Sequence, residues 1–566
     1  MADPLTYTRE RYQKRMAAMK QEMQSFIDHW KLLSEFVKPR RGRFEMQDRN
    51  RGDRRHQSII NSRATRAQQT AVAGMFNGTM AASRPWLVLE TDDPGFMEFG
   101  PTKKWFSILQ DRMRRLLNDS NLYTNVPIML DEELLFGTGC MAHEDDPLDL
   151  MRFWTPTIGS YVISQGHDGR VNTLGRWFEM TVEQIVSKFS VHGEVSKSIS
   201  PAVRQQYAEG NYDAWYPVHQ FVHPNPDFVI GSDDPTKRTF RSVYYEEGNN
   251  DKDAFLETNG YHEFPFYSPR WEITGEDIYG TSCPGMVALG DIRQLQMEER
   301  RKAQGIDKMV APVLHGPAAL RSVPIRNEPA GATLYDSGDG SKGLRPVYEV
   351  KLPISELTLD IKEVENRINE AYFVDLFRAI SAMRGVQPRN ELELLQRNQE
   401  RLVELGPILE RQYTDFQNAL VARVFGQMWR EGLVPPPPVE IQGRPLRPRY
   451  VSSLALAQNA ITTGNIERLF SFINGLAANP GYAGVTDKAD GDQAVDEYAR
   501  LIGAPMNLVI PDEQVAQTRE ARAQQLAMQQ SAALAEQGSN IAKMASDAKL
   551  GDDNVASRLL GRGEAT

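Results

Sequence analysis

Apolar positions recur at helical spacing along much of the chain, most regularly between residues 355 and 429. In the first half of this stretch an apolar residue follows every third or fourth position, and charged residues lie between them. These apolar positions are Ile361, Val364, Ile368, Tyr372 and Leu376. The pattern is typical of an amphipathic helix, which would be about 40 Å long at the usual rise of about 1.5 Å per residue.

The pattern stops at residues 384–388, because glycine and proline disfavour a continuous helix. Asn390 then has the position of an N-terminal helix cap. A second apolar stripe follows over residues 409–424. It predicts a longer helix with a kink at Gly406-Pro407.

The same periodicity predicts further helices elsewhere. They cover residues 12–37, 58–80, 105–116, 286–297, 461–476 and 513–548. The first is rich in methionine and aromatic residues, and we interpret it as a packing helix; the alternative is a methionine-lined groove for a partner. The last has a weak apolar face, so it needs neighbours to bury that face.

Short apolar and β-branched runs predict strands between residues 153 and 257. Residues 161–164 and 171–177 have the pattern of a hairpin, with a turn at His167-Asp168-Gly169. Other strands are predicted at residues 220–222, 239–245 and 254–257, and a capping box at residues 181–184 predicts a short helix. Helices followed by clustered strands indicate an α+β fold that is mainly α.

The composition is ordinary for a large soluble chain. Its 566 residues are enough for several domains, with 40% apolar and 25% charged residues. The net charge of −10 argues against a simple nucleic-acid binder, although segregated charge can still form basic patches. Two cysteines, Cys140 and Cys283, are too few for a disulfide framework, which favours a reducing compartment. We expect no membrane span and no signal peptide.

A strongly basic segment lies between residues 38 and 66. Its cationic residues are Lys38, Arg40, Arg41, Arg43, Arg49, Arg51, Arg54, Arg55, Arg63 and Arg66. Such a run can grip phosphates through charge and bidentate contacts. It can also be a solvated face, or pair with acidic residues of a neighbouring copy. The sequence leaves these interpretations open.

Motifs of enzyme chemistry are scarce. No G-x-x-x-x-G-K-[ST] phosphate loop is present, and we interpret residues 338–342 as a flexible turn and residues 136–139 as a turn into a strand. His219 and His223 lack the glutamate of an H-E-x-x-H zinc motif. We therefore predict no catalytic residues, no metal site and no cofactor, although catalytic groups can converge from distant positions. Long helices without such motifs favour an architectural subunit.

Several short motifs, each weak alone, follow one another in a fixed order. They are Pro85-Trp86-Leu87, Ser120-Asn121-Leu122-Tyr123, Phe136-Gly137-Thr138-Gly139, Gly275 to Gly280, Arg397 to Glu400 with Leu405-Gly406-Pro407, and Tyr450 to Ala457. In this set the chain resembles the head-to-tail connector, or portal, family of short-tailed bacteriophages. The resemblance extends from about Tyr12 to about Ala457.

The resemblance implies a portal fold with long stem helices, a mixed α/β wing, a small clip and a helical crown or barrel at the C-terminus. The expected parts are the wing (1–270), first stem helix (271–311), clip (312–353), second stem helix (354–377), tunnel loop (378–390), long kinked wing helix (391–434), crown (435–512) and C-terminal tail or barrel (513–566).

The resemblance also implies a function. The expected protein is a ring-shaped channel at one capsid vertex, which serves DNA packaging and ejection and docks the terminase and later the tail. Its expected partners are further copies in a dodecameric ring, the large terminase, the major capsid and scaffolding proteins, a tail adaptor and the passing double-stranded DNA. It would assemble in the host cytoplasm and reside in the virion. The alternatives are a DNA-acting, nuclease-like packaging factor and an adaptor without a channel.

Three groups of candidate site residues follow from the resemblance. Arg378, Arg384 and Arg389 would face DNA in the tunnel loop, or pair with acidic residues of the adjacent subunit. Contacts between neighbouring stems are assigned to Arg293, Arg300, Arg301, Glu363, Arg367 and Glu370. Docking of partners at the clip is assigned to Arg321, Arg326, Lys342 and Arg345. Residues 388–392 depart from the family's T-A-T-E-V, so the resemblance does not fix the loop conformation.

Overall fold

The chain divides into two compact units, one formed by residues 1–89, 108–436 and 447–503 and the other by residues 90–107, 437–446 and 504–566. The computed structural model describes residues 7–44, 58–83, 85–91, 100–190, 195–249, 254–316, 326, 345–347, 353–382, 399–443, 446–451, 453–478, 480–501, 509–510 and 512–547.

Helices predominate in these residues. In chain order they are α1 (Arg9–Phe36), α2 (Arg63–Thr79), α3 (Gly100–Asp119), α4 (Leu122–Phe136), α5 (Val182–Phe189), α6 (Pro201–Ala208), α7 (Pro284–Val310), α8 (Ile354–Ala371), α9 (Val374–Ala382), α10 (Gln399–Gln412), α11 (Asn418–Arg430), α12 (Ser453–Ala477), α13 (Gly491–Leu501) and α14 (Asp512–Asp547). Short 3₁₀ segments lie at Pro235–Lys237, Val439–Ile441 and Pro480–Lys488. The fold is mixed and mainly α, as the sequence predicts.

The strands form small sheets. They are β1 (Leu87–Thr91), β2 (Met141–Asp146), β3 (Leu150–Trp154), β4 (Tyr161–Gln165), β5 (Val171–Thr181), β6 (Trp215–Pro224), β7 (Phe240–Glu246), β8 (Glu257–Tyr261), β9 (Phe266–Tyr267), β10 (Leu314–His315), β11 (Arg345–Pro346) and β12 (Leu446–Tyr450). A five-stranded sheet has the order β4-β5-β6-β7-β8, and a three-stranded sheet has the order β3-β2-β9. Strand β1 pairs with β12, and β10 pairs with β11.

Helix α1 packs against the five-stranded sheet through the methionine and aromatic stripe read from the sequence. The Tyr12 hydroxyl lies 3.0 Å from His223 Nε2, and the Tyr12 ring lies 5.4 Å from the ring of Phe221. Farther along, the fully buried Trp30 donates its indole N–H to the carbonyl of Phe136. The prediction of a packing helix is therefore confirmed. A buried stripe of this kind leaves no open groove on that face for a partner.

The β-region follows the predicted pattern closely. The hairpin of β4 and β5 is confirmed, and so is the capping box, in which Thr181 and Gln184 exchange both hydrogen bonds. Gly137 has φ of +83° and ends α4, so residues 136–139 do form a turn before β2. The strand predicted at 254–257 lies later, at Glu257–Tyr261, because that is where the ladder with β7 forms.

Residues 354–382 form two helices where the apolar period predicts one. Helix α8 ends at Ala371, and Phe373 has a left-handed φ of +52° before α9 begins. The break directs α9 against α2, where Phe377 lies so close to Gly74 that an added Cβ would be 2.2 Å from its ring. Tyr372 and Leu376 are buried on both sides of the break, which is why the sequence pattern continues through it.

The long helix after residue 399 also contains an unpredicted irregularity. Helix α10 runs through Gly406 and Pro407, and a π-helical turn at Tyr413–Gln417 joins it to α11. Buried polar partners surround this wider turn: Arg270 Nε lies 3.2 Å from Asp415, and Gln412 Nε2 donates to Glu133. Turns of this type recur at functional sites and depend on such side-chain contacts. The proposed cap at Asn390 lies outside the described residues.

Helix α14 belongs to the second unit, and almost all of its described side chains are exposed. The helix predicted at residues 513–548 is confirmed as Asp512–Asp547. Its apolar side chains are exposed, among them Leu526, Met528, Leu534 and Ile541. In the same unit, Lys103 Nζ donates to the carbonyl of Val509 at 3.1 Å.

Candidate functional site

Helices α7 and α8 pack against each other as a hairpin that carries most of the predicted contact residues. Ile292 and Leu295 of α7 and Ile361 and Val364 of α8 are buried. Charged residues occupy the remaining faces of both helices. The hairpin therefore combines an apolar seam with an outer surface rich in ionic groups.

Gln296 fastens this hairpin to the segment before α2. Its Oε1 accepts hydrogen bonds from the backbone N–H groups of Ile60 and Asn61, at 2.7 and 2.8 Å. Its Nε2 donates to the Asn61 carbonyl, and the Asn61 side chain donates to Glu299 and Glu365. No signal in the sequence indicates this role, because an isolated glutamine on an amphipathic helix normally faces solvent.

Arg367 forms its ion pairs within the hairpin. Its Nε donates to Asp291 Oδ1 at 2.9 Å, and its other guanidinium nitrogens lie 3.4 Å from Glu363 and from Gln294. Glu363 and Glu370 are exposed on α8. The structure thus places Arg367 and Glu363 together within one chain.

Arg293, Arg300 and Arg301 differ from Arg367. All three are exposed on α7, and in the part of the chain that the structure describes no carboxylate lies within ion-pair distance of them. They line a groove of about 790 Å³ between the end of α1, Ser58 and the outer face of α7. The three arginines are therefore available to bind a group that lies outside the described residues.

The remaining candidates are only partly described. Arg378 is exposed on α9, whereas Arg384 and Arg389 lie outside the described residues. Near the end of the hairpin, Arg345 in β11 pairs with His315 in β10, and Arg326 is exposed. Arg321 and Lys342 lie outside the described residues, as does the turn at 338–342.

Three residues of the basic segment pair with acidic residues of their own chain. Lys38 Nζ and Arg41 Nε lie 2.6 and 3.0 Å from the two carboxylate oxygens of Asp131. Arg43 lies 3.5 Å from Glu179. None of the three interpretations left open by the sequence anticipated these partners. Arg49, Arg51, Arg54 and Arg55 lie outside the described residues.

Helix α4 buries three consecutive acidic residues, which the sequence analysis missed. Asp131, Glu132 and Glu133 are exposed by 2%, 0% and 1%. Burial raises the pKa of Glu132 to about 7 and that of Glu133 to about 8, against the hydrogen bonds that each accepts. The available signal was their position within an otherwise apolar helix.

The two histidines have structural contacts. His219 Nε2 lies 3.2 Å from Glu247, and His223 contacts Tyr12. Among the described residues, no three histidine, cysteine or acidic side chains are placed to share a metal ion. None of the described helices has both the length and the apolar character needed to cross a bilayer.

Comparison with known proteins gives consistent matches over most of the chain. Residues 9–509 match the family described as bacteriophage head to tail connecting protein. The chain is 37% identical to the portal protein of Salmonella phage epsilon15 over 551 residues, which cover 97% of this chain and 98% of that protein. It is 36% identical to the probable portal protein of Bordetella phage BPP-1 over 539 residues, 95% of this chain and 94% of that protein.

Proposed function

Since the chain belongs to the bacteriophage head-to-tail connecting protein family, we propose that it forms the ring-shaped channel through which phage DNA is packaged and later ejected. Members of this family are structural components of virions and not enzymes. The observation that carries the proposal is the similarity over nearly the full length to two proteins named as portal proteins.

The parts of the fold are assigned accordingly. Helices α7 and α8 are the stem, residues 312–353 at their tip the clip, and residues 1–270 the wing. Residues 378–390, the first five of which belong to α9, are the segment assigned to the tunnel loop. Residues 391–434 are the long wing helix, and the crown and C-terminal tail follow. The support is the α7–α8 hairpin itself, with the short β10–β11 pair where the chain leaves α7.

DNA must slide through such a channel without being held. Each phosphate that a basic side chain neutralises adds to a salt-dependent affinity, so a lining rich in cations would stall the DNA. A net charge of −10 suits sliding. Arg378, Arg384 and Arg389 are the proposed DNA-facing charges.

The proposed partners follow the same assignment. A dodecameric ring assembles in the host cytoplasm and occupies one vertex of the capsid, in contact with the major capsid and scaffolding proteins. The clip, with Arg321, Arg326, Lys342 and Arg345, docks the large terminase during packaging and a tail adaptor afterwards.

Negative-stain imaging together with light scattering of the purified chain tests the proposal. A ring with a central hole, and a mass that is a multiple of the 64.0 kDa chain, is the expected result. A solid assembly would favour an adaptor without a channel. A monomer or dimer with metal-dependent DNA cleavage would favour the nuclease-like alternative, and either result would overturn the channel.

A further inference from the structure

The groove beside α7 combines exposed apolar surface with positive charge that has no ion-pair partner among the described residues. Arg293, Arg300 and Arg301 line it, and so does Met297, whose side chain is 46% exposed. The groove's own carboxylates bond to uncharged groove residues: Glu35 accepts from Ser58, and Glu298 accepts from Gln294. Its volume of about 790 Å³ is large enough for several side chains.

Helix α8 presents a surface with the opposite charge. Glu356, Leu359, Asp360 and Glu363 follow at three- and four-residue steps, so they lie on one side of the helix. All four are exposed, and Leu359, in the middle, is exposed by 66%. We refer to these four residues as the acidic ridge. The ridge therefore presents carboxylates together with the apolar surface of one exposed leucine.

We propose that the acidic ridge of one copy occupies the arginine-lined groove of the next copy around the ring. Leu359 then packs against Met297, while the carboxylates of Glu356 and Asp360 approach Arg300 and Arg301. This inference rests on the proposed function, because it assumes that copies assemble side by side.

The occupant follows from complementarity. The groove and the ridge differ in both charge and shape, and they belong to the same chain. A contact between two different surfaces of identical chains is a heterologous interface, and it yields a ring when the rotation closes. Arginine forks suit carboxylates, and steering by opposite charge favours this pairing over contact between two like surfaces. Arg367, in contrast, is already bonded to Asp291 and is not part of this contact.

Charge reversal on each surface tests the pairing. One variant carries Arg300→Glu and Arg301→Glu; a second carries Glu356→Lys and Asp360→Lys. Each alone places like charges in the contact, and we expect each to lose the ring and to remain a small species with unchanged helix content by circular dichroism. The matched control, Lys104→Glu with Arg115→Glu, reverses two exposed cations of α3 and should assemble normally.

Mixing the two reversed variants provides the decisive measurement. In the mixture, the acidic groove of one variant faces the basic ridge of the other, so we expect an alternating ring to form. A chain that carries all four substitutions should also form rings alone. Leu359→Ala, which keeps every charge, should raise the subunit concentration for half-assembly about tenfold or more.

The outcomes separate this inference from the function on which it rests. If the unmodified chain forms no ring, the proposed function fails. If it forms rings and both reversed variants do so as well, the function stands and the pairing is wrong. Rings of the Arg300→Glu, Arg301→Glu variant that assemble normally but retain less double-stranded DNA would instead assign the groove to phosphate. Failure of the mixture to assemble, or a half-assembly concentration for Leu359→Ala equal to that of the unmodified chain, would likewise overturn the pairing.

Discussion

Charged residues are buried in α4 and exposed on the outer face of α7. In α4, Asp131 is enclosed and accepts from Lys38 and Arg41, all within one chain. On α7, Arg300 and Arg301 are exposed and have no carboxylate within ion-pair distance in the described residues. The comparison shows that charge density alone does not identify a contact surface. What distinguishes the two regions is whether each charge already has a partner.

The energetic reason is the cost of removing charge from water. A buried ion is tolerated only with partners that offset its desolvation. Removing such a partner therefore lowers the stability of the fold. An exposed ion keeps its hydration and contributes little to stability, which leaves it available for assembly. The following substitutions test this distinction.

The largest expected effect is that of Asp131→Ala. It leaves Lys38 and Arg41, which are 22% and 29% exposed, without their carboxylate, and we expect a loss of about 3 kcal/mol in the free energy of unfolding. Urea unfolding followed by circular dichroism measures it. The control is Asp111→Ala, which removes a surface pair with Arg114 and should cost less than about 0.5 kcal/mol. Equal losses would contradict the comparison.

The next effect is a change in pH dependence through Glu133. Burial raises its pKa from 4.5 to about 8, so the folded chain keeps a proton that the unfolded chain releases. Stability should therefore fall as pH rises from 4.5 to about 8, by at most about 1.4 kcal/mol per pH unit from this group. Glu133→Gln, which cannot ionise, should make the decline shallower.

Urea midpoints across that pH range measure the slope. Glu132 shifts in the same direction and is retained, so some decline should remain. Glu363→Gln is the matched control, because that side chain is 72% exposed. An unchanged slope in Glu133→Gln would show that Glu133 ionises normally in the folded chain.

A smaller effect is expected from Arg367→Glu. The reversal places three carboxylates together, since Asp291 and Glu363 lie beside Arg367. We expect a modest fall in melting temperature and weaker assembly, both caused by loosening of the hairpin. Arg367→Lys keeps the charge and should be intermediate. Ring formation identical to that of the unmodified chain by light scattering would refute this prediction.

No effect on stability is expected from Arg300→Gln with Arg301→Gln. Neither arginine has an ion-pair partner in the described residues, so the melting temperature of the unassembled chain should not change. Assembly should weaken, as a lower mass by light scattering at the same concentration. A lower melting temperature would show that these arginines have a partner within the chain, which would contradict the comparison with α4.

Periodicity gave most helices correctly, because burial of an apolar stripe depends on local spacing alone. The helix at Arg9–Phe36 and the hairpin of β4 and β5 were readable for that reason. The break at Phe373 was not readable, because the apolar period continues across it and its cause is packing on α2. Likewise, the π-helical turn depends on Arg270, which is distant in sequence from Asp415.

The candidate contact residues were predictable as types but not as pairs. An amphipathic helix with alternating charge indicates that its outer face is ionic, and it does not say which charges meet. Arg367 and Arg300 look alike in the sequence, although the first is bonded to Asp291 and the second is not. Only the packing of α7 on α8 separates them.

The break at Phe373 also decides which element sets the position of Arg378. In a straight helix through residues 354–382, any change in the tilt of α8 would also move Arg378. Instead, Phe377 contacts Gly74, so α9 is fixed to α2 beyond a left-handed joint. The contact of Phe377 with Gly74 on α2 therefore sets the position of this arginine, and the direction of α8 alone does not.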